Sequence, residues 1–281
     1  MNIDTTTAFS HDNAFQLSVT IATPTGNPRG IILFIPGIYQ TKEQFQASYE
    51  YFTNEQFICA SYDHRGTGKS VRFDAEIGYF GANGETGLIE DIHSVIDAIQ
   101  KKYSGIPCFI VTTDYASLMA INFLKQYDDS IRALAMISPI SLFSELKRQR
   151  LLLEYISIVT PTYFKSNFFN RLFYKKVRKE HVSQLPFLYT NKGLYHLCDV
   201  GYMIKHQGNY YLKRSQLPIF IASGKKDKIK EYAKETKSLL NEIGYRNIDF
   251  RNYLEGTHDL LQSEQKDQLL HDLLLFFTLS L

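Results

Sequence analysis

The chain has 281 residues, enough for one large domain with a well-buried core. Hydrophobic residues make up 44% and charged residues 21%, which excludes a disordered or fibrous chain. Thirty-one basic side chains against 29 acidic ones leave a net charge of +2, not the balance of a nucleic-acid binder.

In chain order, Phe15 to Ala22 alternates, and Gly30 to Ile35 (GIILFI) is an unbroken apolar run closed by Pro36-Gly37. Such a run between turn residues predicts a strand buried on both faces. A helix is expected around Lys42 to Asn54, then a strand over FICASYD, a helix over Leu88 to Lys102 and a strand over CFIVTT, 108–113. Ser117 to Tyr127 has helical spacing, and Ala133 to Ile137 is a further strand. After residue 215 come the strand PIFIAS, a helix over Lys228 to Ile243, a strand over Ile248 to Tyr253 and a helix over Glu264 to Leu279. Gly244 stands where the first of these helices should stop. Strands alternating with helices imply a parallel sheet covered on both faces.

Residues 140–215 break this rhythm and contain no clear buried strand. They are rich in Tyr and Phe and hold 13 Lys or Arg against four Asp or Glu, a net +9 that leaves −7 for the remainder. The pattern predicts a basic, aromatic helical insertion on an acidic body. Its best amphipathic stretch is FFNRLFYKKVRK, 168–179.

Cys59, Cys108 and Cys198 have neither metal-type spacing nor the number for a disulfide framework, which points to a reducing compartment. The opening MNIDTTTAFSHDN has no basic-then-apolar leader, and no apolar run approaches the length of a span. A cytoplasmic protein is expected. The stretch DHRGTGKS lacks the spacing of a phosphate-binding loop, and nothing implies a metal, nicotinamide or flavin cofactor.

Ligands in open parallel sheets bind beyond the carboxyl ends of the strands. Those loops carry Pro36-Gly37-Ile38, Thr113-Asp114-Tyr115-Ala116-Ser117, Gly224-Lys225-Lys226-Asp227 and Gly256-Thr257-His258-Asp259. Asp114, Asp227 and His258 thus follow the order nucleophile, acid, histidine. With these loops, YDHRGTGKS (62–70), GYFGANGETGLIEDIHSVIDAI (78–99), PCFIVTTDYAS (107–117), PIFIASGKKDKI (218–229) and YLEGTHDLLQSE (253–264) resemble the α/β-hydrolase superfamily. Within it the chain is most similar to bacterial lysophospholipase and monoacylglycerol-lipase-like proteins. The resemblance implies an α/β fold, a mostly parallel twisted sheet with helices on both faces. Residues 1–139 and 216–281 would form the core, and 140–215 a helical lid.

In that family the elbow after the third parallel strand reads Gly-His-Ser-Met-Gly, with serine as nucleophile. The matching positions here are Thr112, Thr113, Asp114, Tyr115 and Ala116. Ala116 is small enough for the sharp turn, whereas β-branched Thr112 crowds it and is expected to relax it. The order Thr112-Thr113-Asp114-Tyr115 also resembles the Asp-nucleophile branches of the superfamily, with Tyr where haloalkane dehalogenases keep Trp. A carboxylate is ionised at neutral pH and displaces at an sp³ carbon, leaving an ester that a His-activated water hydrolyses. The resemblance makes Asp227 the acid that orients His258, His258 the base, and the Ile38 and Tyr115 N–H groups the oxyanion hole. Tyr39 and aromatics of the insertion such as Phe168, Phe169 and Phe173 would line a pocket for an apolar, lipid-like substrate. Its basic side chains would meet anionic membrane headgroups. Two alternatives stay open. One is a catalytically inactive relative that binds a lipid or partner. The other is an epoxide-hydrolase-like enzyme using lid tyrosines; a dehalogenase proper is disfavoured because Trp is absent.

Overall fold

The computed structural model describes residues 1–141, 146–180, 182–206 and 210–281. Eight strands form one open sheet: β1 (Asn2–Phe9), β2 (Gln16–Thr23), β3 (Gly30–Ile35), β4 (Phe57–Tyr62), β5 (Cys108–Thr113), β6 (Ala133–Ile137), β7 (Ile219–Gly224) and β8 (Ile248–Tyr253). Their order is β1-β2-β4-β3-β5-β6-β7-β8; β2 pairs antiparallel with both its neighbours, and the ladders from β4 to β8 are parallel. The unbroken apolar strands sit in the middle, as their composition requires. In β3, Ile31, Leu33 and Ile35 pack on one face while Ile32 and Phe34 pack on the other. The first face is covered by α2 (Gly84–Lys102) and α3 (Ala116–Tyr127), the second by α1 (Gln46–Asn54) and α8 (Lys266–Leu279). Helix α7 (Glu231–Ile243) ends at Gly244, whose φ of +121° makes glycine the residue that fits.

Strand β1 has no counterpart in the sequence reading. NIDTTTAF is polar and almost wholly exposed; it is a strand because β2 offers it an edge, not because it buries an apolar face. The helix expected over 42–54 begins as a short 3-10 turn, Lys42–Phe45, held by buried Lys42 against Asp63 at 2.7 Å.

Among the described residues between β6 and β7 lie three helices: α4 (Lys147–Val159), α5 (Asn167–Arg178) and α6 (Asn191–His206). Ser166 caps α5 by accepting from the Phe169 N–H. Helix α6 packs on α3 and carries α4 on its other side. The described residues of 140–215 contain no strand. Phe143 and Glu145, counted above among the aromatic and acidic residues of this stretch, lie outside the described residues.

Candidate active site

The turn after β5 is sharp. Asp114 has φ +53°, the left-handed region that non-glycine residues seldom occupy, and Asp is among the side chains that tolerate it. Three contacts hold the turn. The Asp114 N–H donates to the Ile137 carbonyl at 3.0 Å, Ser117 Oγ donates to the Asp114 carbonyl at 2.7 Å, and Ser117 Oγ accepts from the Ile140 N–H at 3.1 Å. The expectation that Thr112 relaxes the bend is not met. Thr112 is fully buried in β5 with its hydroxyl unpartnered, and the surrounding bonds keep the bend in place. The neighbouring turn after β3 comes so close that a Cβ on Gly37 would lie 2.8 Å from the Asp114 Cβ. This puts Ile38 beside the elbow that carries Tyr115. Buried His64 lies with Nε2 2.8 Å from the Pro36 carbonyl, and burial lowers its pKa, so a neutral ring pins that turn.

Asp227 follows β7 and His258 follows β8, so all three candidate groups stand at the same end of the sheet. His258 Nδ1 lies 2.8 Å from Asp227 Oδ2, and Asp227 Oδ1 accepts from the Ile229 N–H at 2.9 Å. His258 Nε2 faces Asp114 Oδ1 at 3.4 Å, a charge contact without hydrogen-bond geometry. Burial opposes a charged ring at His258, but the facing Asp114 carboxylate and the bond to Asp227 outweigh it and raise the pKa to about 9. At neutral pH this histidine is an imidazolium. Burial would raise the Asp114 pKa, but the charges of Arg178 and His258 reverse that, and the net shift is downward.

Arg178 is the residue that sequence reading missed. It ends α5, is only 8% exposed, and donates from one guanidinium nitrogen to Asp114 Oδ2 at 3.1 Å. The other nitrogen reaches both oxygens of Asp259, at 3.0 and 3.1 Å. In the sequence it was one basic residue among thirteen in its stretch, with no local mark to single it out. Gln40 also joins the site: its Oε1 accepts from the Gly37 N–H at 2.8 Å and from Thr113 Oγ1 at 3.1 Å.

The cavity beside Asp114, lined among others by Gln40, Thr113, His258 and Leu261, measures ≈ 20 Å³, room for about one water molecule. Aromatic side chains occupy the space above. The Tyr39 ring packs against Tyr174, Phe187 and Tyr189, its hydroxyl donates to Asn170 Oδ1 at 2.9 Å, and its N–H donates to the Tyr189 hydroxyl at 2.9 Å. Buried Phe173 packs tilted against Tyr115, ring centroids 6.1 Å apart, and the Tyr115 hydroxyl bonds the Leu197 carbonyl of α6. Phe169 is half-buried beside Phe173, while Phe168 is 69% exposed on the outer side of α5. Of the expected pocket aromatics, Tyr39 and Phe173 come to the elbow and Phe168 does not.

The family follows from comparison with known proteins. A family model described as serine aminopeptidase, S33 (Hydrolase_4) matches residues 26–266. The chain belongs to this family. It is an α/β-hydrolase, and its fold is that of esterases and monoglyceride lipases. A carboxyl esterase from Bacillus coagulans in complex with glycerol superposes with a TM-score of 0.81 at 16% identity, covering 99% of this chain and 98% of that one. A soluble variant of monoglyceride lipase from Saccharomyces cerevisiae, in complex with a substrate analog, gives 0.71 at 13% identity over 100% and 98% of the two chains. A monoacylglycerol lipase from Paleococcus ferrophilus gives 0.66 at 15% over 94% and 99%. No curated protein sequence matches. At these identities the structural likeness is one of fold.

Proposed function

We propose that this α/β-hydrolase works through a carboxylate nucleophile, Asp114, on an apolar, lipid-like small molecule that presents an electrophilic carbon. One observation carries the reading: His258 lies between Asp227, bonded at 2.8 Å, and the elbow carboxylate, 3.4 Å away. An Asp114 oxygen attacks the carbon while the bond to the leaving group breaks with its electron pair, and an alkyl ester of Asp114 forms. The His258 imidazolium gives its proton to the departing group. Esterification removes the Asp114 charge, one of the two carboxylates that raise the His258 pKa, so the ring that remains is a neutral base. It takes a proton from water, the hydroxide adds to the ester carbonyl, and the N–H groups of Ile38 and Tyr115 hold the resulting oxyanion. The alcohol then leaves, and Asp114 has exchanged one oxygen with water. The opening ionic contact between Arg178 and Asp114 has to separate first, because the ≈ 20 Å³ cavity admits no organic substrate.

Mass spectrometry of the His258→Gln variant incubated with long-chain epoxides, alkyl halides and alkyl esters tests this. With the alkyl halides, whose departing anion needs no proton from His258, a covalent adduct on the peptide containing Asp114 is expected, since the base that releases it is missing. Wild-type turnover of any of these compounds with no label entering Asp114 from ¹⁸O water would sink the carboxylate route.

A second reading is favoured by the Arg178–Asp114 contact itself. In a non-turning-over relative, Asp114 serves as the acceptor that pins α5, and the remaining fold binds a lipid or a partner. That reading expects Asp114→Asn to leave ligand affinity unchanged and no substrate to be consumed. Recovery of esterase activity in Asp114→Ser would show that only the nucleophile differs from the family pattern. The segment 140–215 is read as a lid, and its +9 charge supports peripheral attachment to an anionic membrane.

A further inference from the structure

Helix α4 is built like a core helix but faces water. Leu151, Leu152, Tyr155, Ile158 and Val159 recur at the spacing of one helix face, with Arg148 one turn before them. All five are exposed, Ile158 by 77% and Tyr155 by 66%, while Leu153 is the single buried residue of the helix. Such a stripe ordinarily marks the side turned to a core. Helix α5 extends it. Phe168, Arg171, Leu172 and Lys175 follow the same spacing and, with Asn167, line an open groove of ≈ 380 Å³. Leu152 and Leu172 border one small cavity, so the two faces meet.

Charge selects the occupant. Glu154 is the only acidic residue in α4 and α5, and Arg150 neutralises it at 3.3 Å. A second copy seated on this face would bring two segments of +9 together. An anionic lipid surface offers both the apolar depth for the Leu, Ile and Phe side chains and the counter-charge for Arg148, Arg171 and Lys175. We propose that the α4 stripe and the α5 groove form the surface by which this protein docks on a bilayer containing anionic phospholipid. The inference rests on the peripheral-membrane part of the reading above and not on its chemistry. It moves the docking site from the stretch 168–179 alone to a face dominated by α4. The same helix that lies on the lipid, α5, ends in the Arg178 that covers Asp114.

The test is co-sedimentation of the intact protein with vesicles of phosphatidylcholine mixed with phosphatidylglycerol, against pure phosphatidylcholine, at low and high salt. Wild type is expected to pellet with the mixed vesicles at low salt only. The double variants Tyr155→Glu with Ile158→Glu, and Arg148→Glu with Lys175→Glu, change exposed positions and should each weaken binding about tenfold or more while melting as wild type. No binding by wild type overturns both the docking face and the peripheral reading. Equal binding by wild type and both variants overturns the face alone. Light scattering that shows a dimer dissolved by Tyr155→Glu with Ile158→Glu assigns the stripe to a second copy and also overturns it. None of these outcomes touches the hydrolase reading, because turnover is not measured.

Discussion

The α/β body and the helices between β6 and β7 distribute the same kinds of residue in opposite ways. The body carries −7 and closes its parallel strands between helices, with β3, β4, β5 and β7 buried at every position. The segment 140–215 carries +9, buries aromatic rings against one another and against the elbow, and turns an apolar stripe to solvent. The difference teaches where specificity resides. The body holds a constellation of side chains at fixed strand ends, and the other region, read as a lid, supplies Arg178 and the aromatic rings that pack beside it. Besides the packing of α6 on α3, they are joined at the elbow by a buried ion pair, Arg178 with Asp114, at 3.1 Å. Its environment is low in dielectric on both sides, so removing either partner strands the other.

Four changes probe this joint and the contrast across it. The largest effect is expected from Asp114→Asn, which keeps the shape but removes the charge of the proposed nucleophile. Turnover on any substrate the wild type consumes should fall at least about a thousandfold. Retention of turnover would place the chemistry elsewhere. Arg178→Gln should come next. It uncouples α5 from the elbow and lowers stability to urea by about 3 kcal/mol, with protease cleavage within 140–215 preceding global unfolding. A cost below the error of the measurement would make the contact incidental.

The third is a pH effect. In the unfolded chain the His258 pKa returns to about 6.5, whereas in the fold it is about 9. The folded state therefore binds more protons between these values. The stabilisation is complete below pH 6.5 and is lost as the pH rises through 9, by on the order of 1–3 kcal/mol. Chemical denaturation from pH 6 to 10 should show this slope in wild type and its absence in His258→Gln. The smallest change concerns the body alone. Thr112→Val removes a buried hydroxyl that has no partner and should raise the urea midpoint, by about 1 kcal/mol in stability. A loss instead would show that the hydroxyl is satisfied in solution.

Much of the body was legible because its signals are local. GIILFI, CFIVTT and ALAMI can hardly be anything but two-sided buried strands, and β3, β5 and β6 span them residue for residue. β1 left no trace in the pattern because an exposed edge strand with three Thr at its centre draws its order from its neighbour's hydrogen bonds. The most distinctive motif, YDHRGTGKS, turned out to be scaffold. Arg65 is fully buried on Asp91 at 2.7 Å, and Lys42 on Asp63 at 2.7 Å. At the site, the positions of Asp114, Asp227 and His258 could be read from strand ends, since each follows its strand by a few residues. Arg178 could not, because its partner is 64 residues away in sequence and helical spacing says nothing about it.

The succession of buried strands and helices along the chain, and the presence of three chemical groups at the carboxyl ends of parallel strands, were thus determined by the sequence itself, through hydrophobic runs and turn residues that act over a few positions. Tertiary structure alone decided that the elbow carboxylate is held by a guanidinium from a distant helix, that aromatic rings of another segment pack on Tyr39 and Tyr115 beside it, and that the apolar side of α4 faces outward. Those outcomes depend on which surfaces meet across the whole chain, and no short-range pattern encodes that.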